Sequence, residues 1–207
     1  MRKPQSVKSL ENLGRVRLSQ SFYMRDFLYS EIGNFHEIPN IPDHPDVAIE
    51  SCSQLCNELL EPLNATFGRI SIFSGYRSLA VNQFGNDNKL NCASNAANYA
   101  AHIFDCKDAG GHIGATVSVV IPWFADQYEK GRDWRSLAWW IHDNLPHCGL
   151  CFFPPLAAFN IKWHEAKKEK TIHSYVKPKG CLTCAGMENY EGDHSSWYEG
   201  FPALKSR

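Results

Sequence analysis

The chain has 207 residues, 43% of them hydrophobic, and its 21 basic residues nearly balance 22 acidic ones. This length suits one domain with a core of its own, and the balanced charge excludes the strongly basic surface of a typical nucleic-acid-binding protein. The polar N-terminus and the absence of a long apolar run predict neither a secretory signal nor a membrane anchor, so we expect a cytoplasmic protein.

In the N-terminal half, polar residues 1–17 are expected to form a flexible arm. Apolar residues recur at helical spacing over residues 46–63 and predict an amphipathic helix. Residues 70–73 form a short predicted strand, and the asparagine-rich residues 85–101 a loop.

In the C-terminal half, the clearest strand is residues 115–121, which are rich in β-branched side chains. Residues 134–144 have helical periodicity, and Pro146 ends that helix. Three more strands are predicted at residues 150–153, 159–164 and 171–176. Residues 177–207 show little periodicity and are expected to form an irregular extension packed on the domain. The pattern predicts an α+β fold over residues 18–176, with a small antiparallel sheet and helices on one of its faces.

The stretch from Ile70 to Pro122 brings an arginine, a histidine and two aspartates to the mouths of buried strands, where sites are commonly built. Its motif Ser74-Gly75-Tyr76-Arg77-Ser78, followed by Val81-Asn82, resembles the substrate-side motif of the M15 zinc peptidases. These are D-Ala-D-Ala carboxypeptidases and L-Ala-D-Glu endopeptidases of the Hedgehog/DD-peptidase fold. The resemblance runs from about Leu18 to about Ser174, and it is close up to Asn82.

The resemblance implies a zinc ion that activates water for hydrolysis of a peptide or amide bond, with peptidoglycan stem peptides as substrates. It suggests four metal-binding residues, with the choice between the two aspartates left open: His102, Asp105 or Asp108, and His164, which follows Trp163. His173 is an alternative last ligand. The motif departs from the family at Ser118, where the family has a ligand aspartate, and it contains no identifiable general base.

Arg77 is the candidate substrate-binding residue, because a guanidinium matches a carboxylate with two parallel hydrogen bonds. The resemblance associates this arginine with the carboxylate or carbonyl group of the substrate. A structural ion pair that holds the turn is the alternative.

Eight cysteines in a chain without a signal peptide are expected to be reduced thiols or metal ligands. Cys148 and Cys151 form one Cys-x-x-Cys pair, and Cys181 and Cys184 form another. The two pairs could hold a structural zinc ion, but their separation exceeds the usual ribbon spacing, which favours unconnected thiols.

Two functions therefore follow from the sequence. One is a zinc-dependent hydrolase of peptidoglycan peptides. The other is a non-catalytic binding protein on the same scaffold, for instance in a phage particle. Neither predicts a nucleic-acid or membrane partner, and a cell-wall target would require delivery by another system such as a phage lysis apparatus.

Overall fold

Six strands form one open sheet in the computed structural model, which describes residues 1–205. In chain order the strands are β1 (Ser71–Ser74), β2 (Gly114–Val120), β3 (Gly149–Phe152), β4 (Phe159–His164), β5 (Thr171–Ser174) and β6 (Gly180–Cys184). Their order across the sheet is β1-β2-β4-β3-β5-β6. Eight α-helices accompany this sheet within residues 1–205, which confirms the predicted α+β class.

The sheet is mixed rather than antiparallel throughout, because β3 and β5 are parallel neighbours. β3 runs antiparallel to β4, and the chain reverses again after β4 before β5 begins. A strand that reverses from β4 and lies on the far side of β3 must run in the direction of β3. The connection after β4 therefore accounts for the parallel pair.

The helices are α1 (Val7–Gly14), α2 (Glu31–Phe35), α3 (Pro45–Leu55), α4 (Glu61–Phe67), α5 (Leu79–Asp87), α6 (Asn95–Asn98), α7 (Pro122–Glu129) and α8 (Trp134–Asn144). Short 3-10 helices occupy Met24–Phe27, Pro155–Ala157 and Ser195–Tyr198. The predicted helix over residues 46–63 is confirmed as α3 and α4, joined by a π-helical turn at Cys56–Leu60. Leu55, Leu59 and Leu63 lie on its apolar side and are fully buried.

Alternate residues of the central strands face opposite sides of the sheet. Val117 and Ile161 are opposite each other on the side that packs in the hydrophobic core. Ser118 and Asn160 are opposite each other on the other side and are only half-buried. Cys151 of β3 continues this second row beyond Asn160. The sheet therefore has an apolar face under the helices and a polar face, on which the candidate site lies.

Both ends of the chain contain more structure than the sequence predicted. The expected N-terminal arm includes α1, whose first turn is closed by a reciprocal Ser6–Ser9 capping box and whose Leu13 is fully buried. The C-terminal segment contributes edge strand β6, and the indole of Trp140 donates to the carbonyl of Pro202. Within residues 1–205, no helix combines the length and hydrophobicity that crossing a bilayer requires.

Gly114 begins β2 where the backbone of a neighbouring segment leaves no room for a side chain. A Cβ atom there would lie 2.5 Å from the carbonyl oxygen of Ala100 and 3.0 Å from that of Trp163. We expect Gly114→Ala to lower the free energy of unfolding by about 2 kcal/mol, because the backbone must move to relieve the overlap. Chemical denaturation measures this change.

Gly149 provides the matched control for Gly114, since it begins β3 and its Cβ would meet only Lys162 and Thr171 at ordinary contact distances of 3.6 and 3.7 Å. Gly149→Ala is expected to change the unfolding free energy by less than about 0.5 kcal/mol. Equal effects of the two substitutions would contradict the close approach at Gly114.

Candidate functional site

Backbone hydrogen bonds hold the arginine turn against the segment that carries His102. The amide of Arg77 donates to the carbonyl of His102 at 2.8 Å, and the amide of Thr116 donates to the carbonyl of Ala101 at 3.0 Å. Gly75 allows the turn to approach the core, because a Cβ there would lie 2.7 Å from the carbonyl oxygen of Phe27. These contacts place Arg77 and His102 together beside the polar face.

His102 is held as a neutral imidazole with a defined tautomer. Its Nδ1 lies 3.2 Å from the carbonyl oxygen of Gly75. Since a carbonyl only accepts, Nδ1 carries the proton and Nε2 keeps a lone pair. That Nε2 is 3.5 Å from the amide nitrogen of Asn160. Burial, followed by the nearby Arg77 guanidinium, lowers the pKa of His102 to about 3.

Arg77 has no carboxylate partner among residues 1–205. It is half-buried, and its guanidinium contacts the thiol of Cys92 at 3.4 Å. None of the ion pairs within that part of the chain includes it. The structural ion pair that the sequence left open for Arg77 therefore does not form within the described residues.

Asp105 joins three separate segments of the chain. It is 2% exposed and accepts the amide of Asp43 at 2.7 Å, the amide of His44 at 3.2 Å and the hydroxyl of Tyr76 at 3.1 Å. Burial, followed by the charge of Asp105, raises the pKa of Tyr76, so the phenol stays protonated and remains a donor. Both carboxylate oxygens are thus occupied by hydrogen bonds that hold the Tyr76–Arg77 turn in place.

Asp108 and His164 form a second group, which also includes Lys168 and His112. His164 Nε2 lies 3.0 Å from Asp108 Oδ2, and the Lys168 ammonium donates to the same oxygen at 3.1 Å. His112 Nδ1 is 3.6 Å from Asp108 Oδ1. The amide of His112, followed by Lys168, holds the pKa of Asp108 well below its usual range. Asp108 is therefore a carboxylate bonded on both oxygens.

The tautomer of His164 does not suit metal binding through Nε2. Its Nδ1 accepts the amide of Ala166 at 3.1 Å, so the proton of the neutral ring is on Nε2 and points to Asp108. Burial, followed by the charge of Lys168, lowers the pKa of His164 and favours this neutral form. A neutral imidazole that bound a metal ion through Nε2 would carry its proton on Nδ1, which could then no longer accept the Ala166 amide.

The four predicted metal ligands are divided between separate contact groups. His102 contacts Asn160, whereas His164 lies four residues farther along β4, a separation of about 13 Å along a strand. Within residues 1–205, no three His, Cys, Asp or Glu side chains are arranged to hold a metal ion. A catalytic zinc needs three protein ligands and an open position, and the arrangement of these side chains does not fit that requirement.

Asn160 contacts His102 on the polar face, and Ser118 contacts Asn160, although the sequence did not predict either contact. The hydroxyl of Ser118 donates to the amide oxygen of Asn160, directly across the β2–β4 pair. Ser118 stands where the resemblance expects an aspartate. The sequence could have indicated Asn160, because residues 160 and 164 are an even number of positions apart in the predicted strand and therefore lie on the same face of the sheet.

The two Cys-x-x-Cys pairs do not come together. All eight cysteines are free thiols. Cys148 is buried and donates to the carbonyl of Lys162 at 3.4 Å. Cys151 and Cys181 lie on either side of His173 in the sheet. His173 therefore lies between the two pairs, and within residues 1–205 their thiols form no metal-binding group.

Comparison with known proteins gives no relative, since no family model, curated protein or solved structure matches the chain. The resemblance to the M15 peptidases therefore stays a prediction from the motif residues.

The low pKa of His102 predicts a measurable pH dependence. Its folded pKa of about 3 lies below the unfolded value of 6.5, so the unfolded chain binds the proton first as pH falls. We expect the His102 ring signal in NMR to stay unchanged between pH 5 and 8. The unfolding free energy should fall as pH decreases below 6.5 towards 3, and fall less steeply in His102→Asn. Titration of this ring near pH 6.5 would contradict its burial as a neutral group.

Proposed function

We propose that the chain binds the carboxylate end of a peptide on the polar face of the sheet, beside Arg77, and that this binding needs no metal ion. The observation that supports the proposal is a half-buried guanidinium with no carboxylate partner within residues 1–205. A cation in this position gains two charge-assisted hydrogen bonds when a carboxylate arrives. By analogy with the resembled family, the ligand is a peptidoglycan stem peptide.

The surroundings of Arg77 favour an anionic ligand. None of the six strands contains an aspartate or glutamate, and Lys162 adds a second half-buried cation to the polar face. The carboxylate would therefore meet no repulsive charge on the strands.

Neutral side chains beside Arg77 can orient the rest of the peptide. The Nε2 lone pair of His102 can accept a peptide amide, and the Asn160 side-chain amide can donate to a peptide carbonyl. The Arg77 amide donates to the His102 carbonyl, and His102 in turn contacts Asn160, so the three residues are neighbours. The arrangement offers one charged anchor and two neutral hydrogen-bonding groups.

Isothermal titration calorimetry tests this function with a stem-like peptide that ends in D-Ala-D-Ala, in the presence of a metal chelator. Saturable binding of the intact peptide supports the proposal. Absence of binding at millimolar peptide, both with and without chelator, would refute it. A binding protein for cell-wall peptides would need delivery to the wall, for which a phage lysis or tail apparatus is one route.

The second candidate is the zinc-dependent hydrolase, and one feature of His102 favours it. Metal-binding histidines usually donate their other ring nitrogen to a carbonyl or carboxylate, as His102 Nδ1 does to Gly75. A zinc ion would activate water and polarise the scissile carbonyl. Its remaining ligands would have to come from Asp105, Asp108 and His164 after rearrangement.

Elemental analysis separates the two functions. About one zinc per chain that is lost in both His102→Ala and His164→Ala would support the hydrolase. A metal-free protein whose melting is unchanged by chelator would support the binding protein. Zinc that is lost only when Cys148 or Cys181 is replaced would instead identify a structural site.

A further inference from the structure

A cleft of about 310 Å³ lies near the His164 end of β4, away from the contacts of Arg77. We name it the basic cleft. Its lining includes the three lysines Lys167, Lys168 and Lys170 together with His147, and Glu58 and Glu169 also line it. The lysines follow β4 in the connection that reverses the chain towards β5. Three ammonium groups and two carboxylates leave the lining with a net positive charge.

His147 is a residue of the basic cleft whose buried ring nitrogens have no hydrogen-bond partner within residues 1–205. The residue is 1% exposed. Burial, followed by the charges of Lys170 and His142, lowers its pKa well below the ordinary value. The ring is therefore neutral and offers one N–H donor and one acceptor. Buried polar groups in proteins are nearly always paired, so an unpaired imidazole in a cleft indicates a ligand that pairs with it.

The lysines of the basic cleft keep unused donors. Lys168 gives one hydrogen bond to Asp108 at 3.1 Å, and Lys170 gives one to the carbonyl of His142. An ammonium group has three N–H donors, so two remain on each side chain. Lys167 has no ion pair within residues 1–205. Cationic donors therefore lie around the same space as the unpaired imidazole.

We propose that the basic cleft binds a small oxyanion, a phosphate or carboxylate group. Neither ring nitrogen of His147 is exposed in this structure, so the ring turns on binding until its N–H donates to one of the oxygens of the anion. The ammonium groups of Lys167, Lys168 and Lys170 supply the opposing charge. The occupant is a compact group or the end of a larger molecule, because the space is at the lower end of the range for ligand pockets. This site is separate from the peptide carboxylate site proposed at Arg77.

Thermal unfolding and histidine NMR of the full chain test the basic cleft with inorganic phosphate and with acetate, each against sodium chloride at equal ionic strength. A bound ion raises the melting temperature in a saturable way and shifts the ring signals of His147. The variants are His147→Phe, which removes both nitrogens, and Lys167→Ala. Lys130→Ala, an exposed lysine outside the cleft, is the matched control.

We expect His147→Phe to weaken anion binding at least about tenfold, because it removes a hydrogen bond to a charged group. Lys167→Ala should weaken it less, and Lys130→Ala should leave it unchanged. Phosphate alone, acetate alone or both acting on His147 would support the site and identify the oxyanion preferred. No shift beyond that of chloride, or an equal shift in the wild type and in folded His147→Phe, would overturn the proposal. If His147→Phe fails to fold, the comparison of Lys167→Ala with Lys130→Ala decides by the same criterion.

Discussion

Replacement of Asp105 by alanine is expected to lower the free energy of unfolding by about 3 kcal/mol or more. The substitution leaves three donors without their acceptor: the amides of Asp43 and His44 and the hydroxyl of Tyr76. Each buried donor that loses its partner costs about 1–3 kcal/mol. Denaturation by urea measures the loss, and the Tyr76–Arg77 turn should become mobile at the same time.

Two controls identify the role of Asp105. Asp105→Asn keeps one oxygen acceptor and should destabilise the fold less than Asp105→Ala. Asp108→Ala should have the smaller effect of the two alanine variants, because Asp108 is partly exposed and lies in the other contact group. If chelator lowered the unfolding free energy of the wild-type protein as much as the Asp105→Ala substitution does, Asp105 would instead act through a bound metal ion.

Replacement of Arg77 by glutamine is expected to reduce the affinity for a carboxylate-terminated peptide about ten- to a hundredfold. The guanidinium would otherwise donate two charge-assisted hydrogen bonds to the carboxylate, and hydrogen bonds to charged groups are worth about 1.5–3 kcal/mol. Stability should change little, because Arg77 has no ion pair within residues 1–205 and its side-chain contact is to the thiol of Cys92. Calorimetric titration measures the affinity, and thermal unfolding measures the stability.

Arg77→Lys and Arg2→Gln are the controls for this prediction. Lysine retains the charge but lacks the planar pair of donors, so we expect an affinity between those of the wild type and Arg77→Gln. Arg2 is exposed near the N-terminus, and its replacement should leave binding unchanged. Equal peptide affinities in wild type and Arg77→Gln would exclude Arg77 as the anchor.

Much of the fold follows from local patterns in the sequence. Apolar spacing predicted the helix that became α3 and α4, and β-branched residues predicted β2. Local sequence patterns did not predict the elements whose stability depends on contacts with distant parts of the chain. β6 is held at the sheet edge by its pairing with β5, and α1 by burial of Leu13. Neither pairing partners nor burial can be read from a short polar segment.

The candidate site was less predictable, because it depends on which atoms the side chains use. His102 and Asp105 are close in sequence and were both predicted as metal ligands. In the structure, Asp105 instead accepts hydrogen bonds from Tyr76 and from the start of α3. The tautomers of His102 and His164 depend on Gly75 and Ala166, whose positions only the folded chain defines. The sequence therefore identified the polar residues but not the separate groups that they form.

The most direct measurement compares two peptides that differ only at the C-terminus, a free carboxylate and an amide, in calorimetric titrations of the wild-type chain with chelator present. We expect saturable binding of the carboxylate form and binding at least about tenfold weaker for the amide, since the amide cannot accept the charge-assisted pair from Arg77. Equal affinity for the two peptides, or binding that disappears with the chelator, would contradict metal-independent recognition of a carboxylate.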